Sequence, residues 1–454
     1  MDPQNLVERQ RAYFNSNATK NIAFRVEQLN RLRSVLKENE SAIFDAINTD
    51  YGKSEFDSFL TEFLVIYDDL EVAIRNAARW SKVRRVRTNL LNWPARSYIM
   101  SEPLGVTLVI GAWNYPIQLS LAPVIAAMVA GNTMILKPSE LCAATSRITA
   151  KLINENFATE YFHVMEGGIP ETTELLEQKF DKIFFTGSTT VGRIVYEAAA
   201  RNLTPVTLEL GGKSPVIVTP GCDLGNPVKR LVWAKFLNAG QTCIAPDYVL
   251  VHQSIEKEFI TRVKQEIVEA HLSIDNGNYV RIINERNTAR IVGLLDPTKV
   301  VLGGDHNIAD RFIAPTLMTG VGFADRIMSE EVFGPVLPVM CYEDLDDAIA
   351  EIKARPKPLS LYLFTNDREI KDKVLREVSF GGGCVNDAIM HISNGNLPFG
   401  GVGGSGMGRY HGEAGFNAFS HIKSILEKPV WFESSMKYFP HTPMKLKLLR
   451  WLVG

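Results

Sequence analysis

Apolar residues in the first 80 positions repeat with the spacing of a helix. One stripe has intervals of four, three and four residues and is formed by Phe59, Phe63, Ile66 and Leu70. Side chains at these intervals lie on one face of a helix. The N-terminal part of the chain is therefore predicted to be helical and architectural.

A different pattern follows, because residues 103–136 contain no charged residue. On length alone such a stretch would admit a membrane helix. Glycines and prolines such as Gly111 and Pro123 divide it into short pieces, and a parallel sheet that is buried on both faces produces continuous apolar runs of this kind. The stretch is therefore predicted to lie in a buried parallel sheet.

Short apolar segments then alternate with segments of helical character. The predicted strands lie at 106–110, 133–137, 161–166, 182–186 and 206–210. A second α/β unit is predicted to begin near Ser214, with strands at 215–218 and 248–252 and a helix at 257–269. This alternation predicts an α/β protein with a doubly wound parallel sheet. Ligands of such sheets bind beyond the carboxyl ends of the strands.

Composition narrows the class of protein. The 454 residues are 46% hydrophobic, and 49 basic residues oppose 51 acidic ones, which leaves a net charge of −2. This balance offers no electrostatic footprint for nucleic acid or for an anionic membrane.

The five cysteines lack Cys-x-x-Cys spacing, so neither a disulfide framework nor a metal site is predicted. No signal peptide is apparent, and a cytoplasmic location is predicted.

The candidate chemistry centres on Cys243, in residues 238–243, and on Glu209, in residues 208–212. A thiolate is a strong nucleophile, and a nearby carboxylate can activate a water molecule. Glycines at 211, 212 and 240 would let a substrate approach the backbone closely. A cysteine taken alone is more often an inert core residue, so the assignment depends on its neighbours.

Three strand-end segments supply those neighbours. Residues 187–192 follow a strand and open a helix, where backbone N–H groups can hold a pyrophosphate, although the G-x-G-x-x-G fingerprint is missing and a plain turn is the alternative. Lys137 and Glu140 could bind ribose hydroxyls, or Ser139 could simply cap a helix. Asn114 could donate to an oxyanion or merely form a turn.

Taken together, these segments resemble the aldehyde dehydrogenase superfamily over nearly the whole chain. The motifs that carry the resemblance are residues 185–189, 208–215, 240–243 and 331–336. Residues 386–391 and the glycine-rich residues 396–408 resemble its class 3 branch, which includes fatty aldehyde dehydrogenases.

The resemblance implies a fold and a division into domains. The fold would combine a Rossmann-type parallel-sheet cofactor domain with a second α/β catalytic domain and a small oligomerisation element. The implied nucleotide-binding domain is residues 1–80 and 105–208, and the catalytic domain is 209–390. Residues 81–104 and 391–454 would form the bridging element and a C-terminal tail.

An exposed strand at 97–102 predicts a homodimer, because an uncovered strand edge pairs with a partner.

The resemblance also implies residue roles in the oxidation of aliphatic or aromatic aldehydes to acids. Cys243 would attack the aldehyde, Asn114 would bind the oxyanion, and Glu209 would activate the water that hydrolyses the thioester. NAD would accept the hydride, with NADP left open. The implied cofactor-binding residues are Lys137, Glu140, Gly187, Ser188, Thr189, Val191, Gly192, Glu331 and Phe333.

The sequence leaves several alternatives open. The thioester could pass to coenzyme A or phosphate, although Glu209 favours water as the acceptor. A catalytically silent binding protein could keep the same fold. A cysteine hydrolase would need a histidine near Cys243, and none is nearby in the sequence. The basic amphipathic tail at 444–454 is too short and charged to cross a membrane, and peripheral membrane contact is a hypothesis.

Overall fold

The computed structural model of the protein describes residues 2–453, so Met1 and Gly454, the two ends of the predicted domains, lie outside the described residues. The chain divides into two compact units. Unit 1 consists of Met1–Trp80 and Pro103–Ser420, and unit 2 consists of Ser81–Glu102 and His421–Gly454. The predicted division into nucleotide-binding, catalytic and bridging parts differs from this one in its boundaries and remains a proposal.

The helices of the described residues alternate with strands after residue 103. The α-helices are α1 (Pro3–Asn15), α2 (Ile22–Glu38), α3 (Glu40–Tyr51), α4 (Glu55–Ser58), α5 (Leu64–Trp80), α6 (Gln118–Ala130), α7 (Ala143–Asn156), α8 (Ile169–Leu176), α9 (Thr189–Ala200), α10 (Gly225–Phe236), α11 (Glu256–Glu269), α12 (Glu285–Val292), α13 (Leu345–Lys353), α14 (Arg368–Glu377), α15 (Gly412–Ala418) and α16 (Pro443–Val453). Short 3₁₀ turns lie at Ala18–Lys20, Leu90–Asn92, Leu237–Gly240, Gln253–Ile255, Arg326–Met328, Met390–Ser393 and Ser435–Lys437.

The strands are mostly short. They are β1 (Arg84–Val86), β2 (Arg96–Pro103), β3 (Val106–Ile110), β4 (Thr133–Lys137), β5 (Phe162–Val164), β6 (Lys182–Thr186), β7 (Val206–Glu209), β8 (Pro215–Val218), β9 (Tyr248–His252), β10 (Val300–Leu302), β11 (His306–Asn307), β12 (Phe312–Ile313), β13 (Thr316–Met318), β14 (Val336–Tyr342), β15 (Ser360–Phe364), β16 (Gly382–Val385), β17 (Gly406–Met407) and β18 (Ser420–Glu427).

Sheet A of unit 1 has the strand order β17-β7-β6-β3-β4-β5 within the described residues. The strands from β7 to β5 are parallel, and β17 pairs antiparallel with β7. The chain runs from β3 outward through β4 to β5 and then returns to the other side of β3 with β6. The carboxyl ends of β3 and β6 therefore form a topological switch point, where open α/β sheets bind ligands.

The uncharged stretch folds into the core of sheet A. All five residues of β3 and all five of β4 are buried. Every residue of α6 is also buried, because this helix packs against α2, α5 and α15 as well as against β3 and β4. Burial on all sides explains why residues 103–136 carry no charge.

Sheet B of unit 1 has the order β10-β13-β14-β9-β8-β15-β16 among the described strands. The strands from β13 to β16 are parallel, and β10 pairs antiparallel with β13. The segment between β8 and β9 contains α10 and the candidate nucleophile. The predicted fold, a parallel cofactor-type sheet joined to a second α/β sheet, is confirmed.

The N-terminal apolar stripe departs from prediction at one position. Phe63, Ile66 and Leu70 are fully buried as expected, but Phe59 is 42% exposed. The reason is a π-helical turn at Phe59–Phe63, between α4 and α5. A π turn contains more residues than an α turn, so it rotates Phe59 away from the face that the three later residues share.

Unit 2 contains sheet C, with the strand order β1-β2-β18. The predicted strand at 97–102 lies within β2, but the expectation that its edge is unpaired is wrong. β2 lies in the middle of sheet C because β18, from the distant C-terminal part of the chain, covers its second edge. In the described part of unit 2, the outer strands of sheet C are β1 and β18.

Among residues 2–453, no helix combines the length and the apolar character needed to cross a bilayer.

Candidate active site

A cavity of about 660 Å³ lies at the carboxyl ends of β3, β4, β6 and β7. Most of the predicted site residues line it, although they come from distant parts of the chain. These are Asn114, Lys137, Glu140, Gly187, Ser188, Val191, Glu209, Cys243, Glu331 and Phe333. The cavity thus brings the proposed nucleophile, base and cofactor residues together in one space.

Two predicted cofactor residues, Thr189 and Gly192, are not part of the lining. The hydroxyl of Thr189 donates to the carbonyl of Gly404, at 3.2 Å. Gly192 is buried where α9 packs on β7, and a Cβ at this position would lie 2.6 Å from a methyl group of Leu210. Gly192 contacts the cavity lining through Leu210, whereas Thr189 bonds to the glycine-rich segment near residue 404.

The candidate nucleophile follows a turn with an unusual backbone. Asn238 and Ala239 have φ values of 53° and 51°, and Gly240 has a φ of 70°. Left-handed conformations cost roughly 1–2 kcal/mol for each residue that carries a Cβ. A Cβ at Gly240 would also lie 2.3 Å from the carbonyl oxygen of Gly334, so position 240 needs glycine on both grounds.

Buried side-chain amides stabilise this turn. The Gln241 amide donates to the carbonyls of Asn238 and Arg281, at 3.1 Å each, and accepts from the N–H of Ile283 at 3.0 Å. The amide of Asn238 donates to the carbonyl of Asn114 at 2.8 Å. These bonds fix the loop that ends at Cys243 against neighbouring elements.

Asn114 lies beside this loop, 3% exposed. One N–H of its side-chain amide donates to the carbonyl of Gln241 at 3.0 Å. An asparagine amide has two N–H groups, so the second can donate to a ligand in the cavity. The arrangement places an oriented donor next to the candidate nucleophile.

Glu209, at the end of β7, is a buried carboxyl without a structural partner. It is 3% exposed, and neither carboxyl oxygen accepts a hydrogen bond from any described residue. Burial raises the pKa of Glu209 well above its usual value, and the charge of Arg409 acts in the opposite direction. A buried carboxyl that is left unpaired at a cavity wall is typical of a functional group.

Glu331 lies against the glycines that follow β7. A Cβ at Gly211 would lie 1.9 Å from a carboxyl oxygen of Glu331, so a side chain at position 211 would displace this carboxyl. Burial first, and then the charge of Asp247, raise the pKa of Glu331 to about 8, while the N–H of Gly212 lowers it.

The segment that carries Glu331 and Phe333 is tightly held. The ammonium of Lys213 donates to the carbonyl of Glu330 at 2.8 Å and forms an ion pair with Asp247. Asp247 also accepts from the N–H of Val332 at 2.8 Å. The motif around residue 213 therefore positions Glu331, a role that sequence reasoning did not assign.

The far end of the cavity, which is the part lined by Ser188, Lys137 and Glu140, has the features of a phosphate and ribose site. Ser188 caps α9 by accepting from the N–H of Val191, at 3.3 Å, and the first N–H groups of a helix are free to bind an anion. Lys137 is buried, and its ammonium lies 3.5 Å from the carboxylate of Glu140, which is half exposed.

Sequence reasoning missed several lining residues. Ile169 and Ile194 flank the far end of the cavity and are 78% and 56% exposed, and Tyr410 lies near Glu209. The spacing of Ile194, three residues after Val191 on one helix face, was an available signal. Ile169 and Tyr410 had none, because they reach the site through tertiary packing.

The fold and this cavity define a class: an α/β enzyme with a cysteine nucleophile and a dinucleotide-type cleft. The aldehyde dehydrogenase family matches residues 2–425 of the sequence. The chain belongs to the aldehyde dehydrogenase family.

Individual relatives agree with this assignment. The chain is 46% identical over 435 residues to the 4,4'-diaponeurosporen-aldehyde dehydrogenase of Staphylococcus aureus, covering 95% of each chain. It is 44% identical over 443 residues to the dimeric NADP-preferring aldehyde dehydrogenase of Rattus norvegicus, covering 97% of this chain and 98% of that protein. The solved structure of the substrate-bound state of Staphylococcus aureus AldH superposes with a TM-score of 0.96 at 44% identity, covering 99% of each chain.

These findings confirm the predicted resemblance, including its class 3 character, because further relatives are named members A2 and B3 of aldehyde dehydrogenase family 3. The predicted activity, an NAD(P)-dependent oxidation of aldehydes to acids, is confirmed at the level of the family. The roles of individual residues remain proposals.

The charges around Cys243 yield a first prediction. Burial raises the pKa of the Cys243 thiol, and the carboxylate of Glu331, followed by that of Glu209, raises it further. Glu331→Gln removes the larger of these charges, which is present above about pH 8. The pH profile of Cys243 alkylation by iodoacetamide should therefore move to lower pH. At pH 9 the rate should increase by up to about ten-fold, the change in thiolate fraction for one pKa unit.

Glu330→Gln is the matched control, because this neighbouring carboxylate is half exposed and pairs with Arg290 at 3.2 Å. Its alkylation profile should match that of the wild type. A profile for Glu331→Gln that is unchanged or moved to higher pH would contradict the electrostatic account.

Proposed function

We propose that this aldehyde dehydrogenase oxidises aliphatic or aromatic aldehydes through a covalent adduct on Cys243, with hydrolysis assisted by Glu209. The observation that supports it best is that one cavity contains the thiol of Cys243, the unpaired carboxyl of Glu209 and the amide of Asn114. Apolar side chains such as Trp113, Leu119 and Phe399 line the same space, which favours a substrate with a hydrocarbon chain or ring.

The first step is addition of Cys243 to the aldehyde. The thiolate sulfur forms a bond to the carbonyl carbon, and the carbonyl oxygen takes the negative charge. In the proposal, the free N–H of the Asn114 amide and the backbone N–H of Cys243 donate to that oxygen. Asn114 is already oriented by its bond to Gln241, so the donor needs little rearrangement.

The lining fits a dinucleotide. The N-terminus of α9, capped by Ser188, offers N–H groups to a pyrophosphate. Lys137 and Glu140 would bind the adenosine ribose, and Glu331 the nicotinamide ribose, with Phe333 packed near the ring. When bound, the oxidised cofactor supplies a positively charged ring that accepts the hydride leaving the carbon attached to Cys243. NAD is preferred because the carboxylate of Glu140 disfavours a ribose 2′-phosphate.

Glu209 acts in the second half of the reaction. Loss of hydride leaves a thioester on Cys243, and the Glu209 carboxylate takes a proton from water as the water oxygen attacks the thioester carbon. The carbon–sulfur bond then breaks, which releases the acid and returns the thiolate. A carboxyl that makes no structural hydrogen bond in the described residues can accept this proton without breaking the fold.

The proposed function is tested by the formation of reduced cofactor. Purified protein with NAD or NADP and hexanal, dodecanal or benzaldehyde is expected to turn over, with the chain-length preference read from kcat/KM. Cys243→Ala should show no turnover, because no other group can form the thioester. Turnover that survives in Cys243→Ala would exclude this nucleophile. No turnover of the wild type with any aldehyde would favour the silent binding protein.

Glu209→Gln separates the two halves of the reaction. The amide cannot accept a proton from water, so deacylation should slow by about 100-fold or more. A first-turnover burst of reduced cofactor should survive, because acylation does not need this base. Stopped-flow absorbance measures both phases. Equal loss of the burst and of the steady rate would contradict the role of Glu209.

We further propose a homodimer that assembles through unit 2. Ile422 and Leu426 on the outer strand β18 are 49% and 51% exposed, and Leu90 and Trp93 of the same unit are also exposed. Unpaired strand edges and exposed apolar residues are typical of interfaces. One relative is named dimeric.

Sedimentation velocity at micromolar concentration tests this assembly. The wild type should sediment as twice the 50.6 kDa chain, and Leu426→Asp should move it toward monomer because the charge would be buried in the interface. Val268→Asp, on the exposed face of α11 in unit 1, is the control and should stay dimeric. A monomeric wild type would rule the proposal out.

Sheet A is proposed as the nucleotide-binding part and sheet B as the catalytic part.

The location of the protein is proposed from its cysteines. All five cysteines of the chain are free thiols, which favours a reducing compartment such as the cytoplasm. The predicted peripheral membrane contact of the tail falls mainly on α16 and stays a prediction.

A further inference from the structure

Lys53 and Glu62 form an ion pair in the interior of unit 1. The ammonium of Lys53 lies 2.8 Å from one carboxyl oxygen of Glu62, and the two side chains are 1% and 0% exposed. Neither residue lines the cavity. Removing two charges from water is costly, so a buried ion pair is weak evidence for a stabilising role. The contacts of the pair indicate a more specific role.

Glu62 closes the N-terminal end of α6. Its second carboxyl oxygen accepts from the backbone N–H of Ile117 at 2.8 Å and from that of Gln118 at 3.2 Å. Glu62 lies in the π-helical turn Phe59–Phe63, and such turns are frequent at functional sites. A carboxylate at a helix N-terminus is favoured by the helix dipole. Glu62 therefore fixes the start of the helix that directly follows the Asn114 loop.

Lys53 connects the same pair to the nucleophile loop. Its ammonium lies 4.5 Å from the centroid of the Tyr115 ring, within cation–π distance. The hydroxyl of Tyr115 is 2.6 Å from the hydroxyl of Thr242, the residue before Cys243. Both hydrogen-bonding atoms are buried. The Tyr115 ring thus spans the distance between the ion pair and the nucleophile loop.

The backbone of Asn114 is held from the same region. The hydroxyl of Tyr51, whose ring lies 5.9 Å from the Lys53 ammonium, donates to the Asn114 carbonyl at 3.3 Å. The half-buried carboxyl of Asp57 also faces Lys53. Burial raises the pKa of this carboxyl, and the charge of Lys53 partly offsets that increase. Residues 51–62 therefore hold both sides of the proposed oxyanion site.

We propose that Lys53 and Glu62 are positioning residues for the aldehyde dehydrogenase reaction. Glu62 fixes the loop of Asn114 through α6, and Lys53 fixes Tyr115 and, through Thr242, the loop of Cys243. The pair thereby sets the spacing between the nucleophile and the oxyanion donor. The inference rests on the proposed role of Cys243, and neither Lys53 nor Glu62 touches the substrate.

The test replaces the whole pair. Lys53→Met/Glu62→Gln keeps the side-chain lengths and an oxygen that accepts from α6, and it leaves no uncompensated buried charge, which is the condition for such a replacement to fold. Single-turnover formation of reduced cofactor at saturating hexanal and NAD should slow by about ten-fold or more, because small misplacements of reacting groups have effects of this size. The Kd for NAD and the melting temperature should stay near the wild-type values.

Tyr115→Phe shows whether the effect passes through the phenol. It removes the hydrogen bond to Thr242 and keeps the ring, and its single-turnover rate should also fall by about ten-fold. The triple variant combines Lys53→Met, Glu62→Gln and Tyr115→Phe. Residues that act through one contact are not additive, so its single-turnover rate should lie within about three-fold of the rate of the slower parent, which is either the double variant or Tyr115→Phe. Independent effects would instead multiply, to about 100-fold.

The control is another ion pair of unit 1 that lies away from the cavity lining. Arg11 and Asp181 are 2.8 Å apart and partly buried, and Arg11→Met/Asp181→Asn should keep the wild-type single-turnover rate. A wild-type rate in the Lys53/Glu62 variant, or multiplying effects in the triple variant, would overturn the proposal.

Two further outcomes keep the test decisive. If the Lys53/Glu62 variant does not fold, a wild-type rate for Tyr115→Phe overturns the proposal by itself, and a ten-fold slower rate with unchanged Kd for NAD supports it. A wild-type protein that forms no reduced cofactor refutes the proposed function and this inference with it. An active wild type beside unaffected variants refutes only the positioning role.

Discussion

The left-handed turn at Asn238, Ala239 and Gly240 is the constraint on which the site depends. It reverses the chain between α10 and Cys243, and two of its residues carry side chains that disfavour such a backbone. The turn persists because buried amides bond to it and because Gly240 lies directly on the carbonyl of Gly334. Strained backbone that the surroundings hold in place is common where reactive groups must be fixed.

The same site places two carboxyls beside a thiol. Burial raises the pKa of the Cys243 sulfur, and the half-buried Glu331 and the buried Glu209 raise it further when they are ionised. In the protein without ligands this favours the protonated, unreactive thiol. A cation that enters the cavity would reverse the balance, so the arrangement couples the reactivity of the sulfur to occupancy of the cleft. Protection of a thiol from oxidation is one benefit of such coupling.

Much of the fold could be predicted from the sequence because the strands of a buried parallel sheet are short apolar runs with polar ends. The observed bounds of β3, β4, β6, β8 and β9 coincide with the predicted ones. Most of the site residues that were predicted with the family motifs line the cavity. What remained hidden depends on tertiary contacts: the π turn that carries Glu62, the pairing of β18 with β2, and Tyr410 in the cavity. No local pattern distinguishes these residues, since each owes its place to a distant partner.

The pairing of β17 with β7 has a consequence for how the molecule is made. Gly406 lies opposite Glu209 in sheet A, so the strand that carries the proposed catalytic carboxyl gains its outer neighbour only from a segment near the end of the chain. During synthesis from the N-terminus, most of sheet A can assemble while β7 still has an open edge. Such long-range closure is slow, and an open edge invites pairing with other chains. Nascent or truncated chains that stop before residue 406 would therefore be both inactive and prone to aggregate.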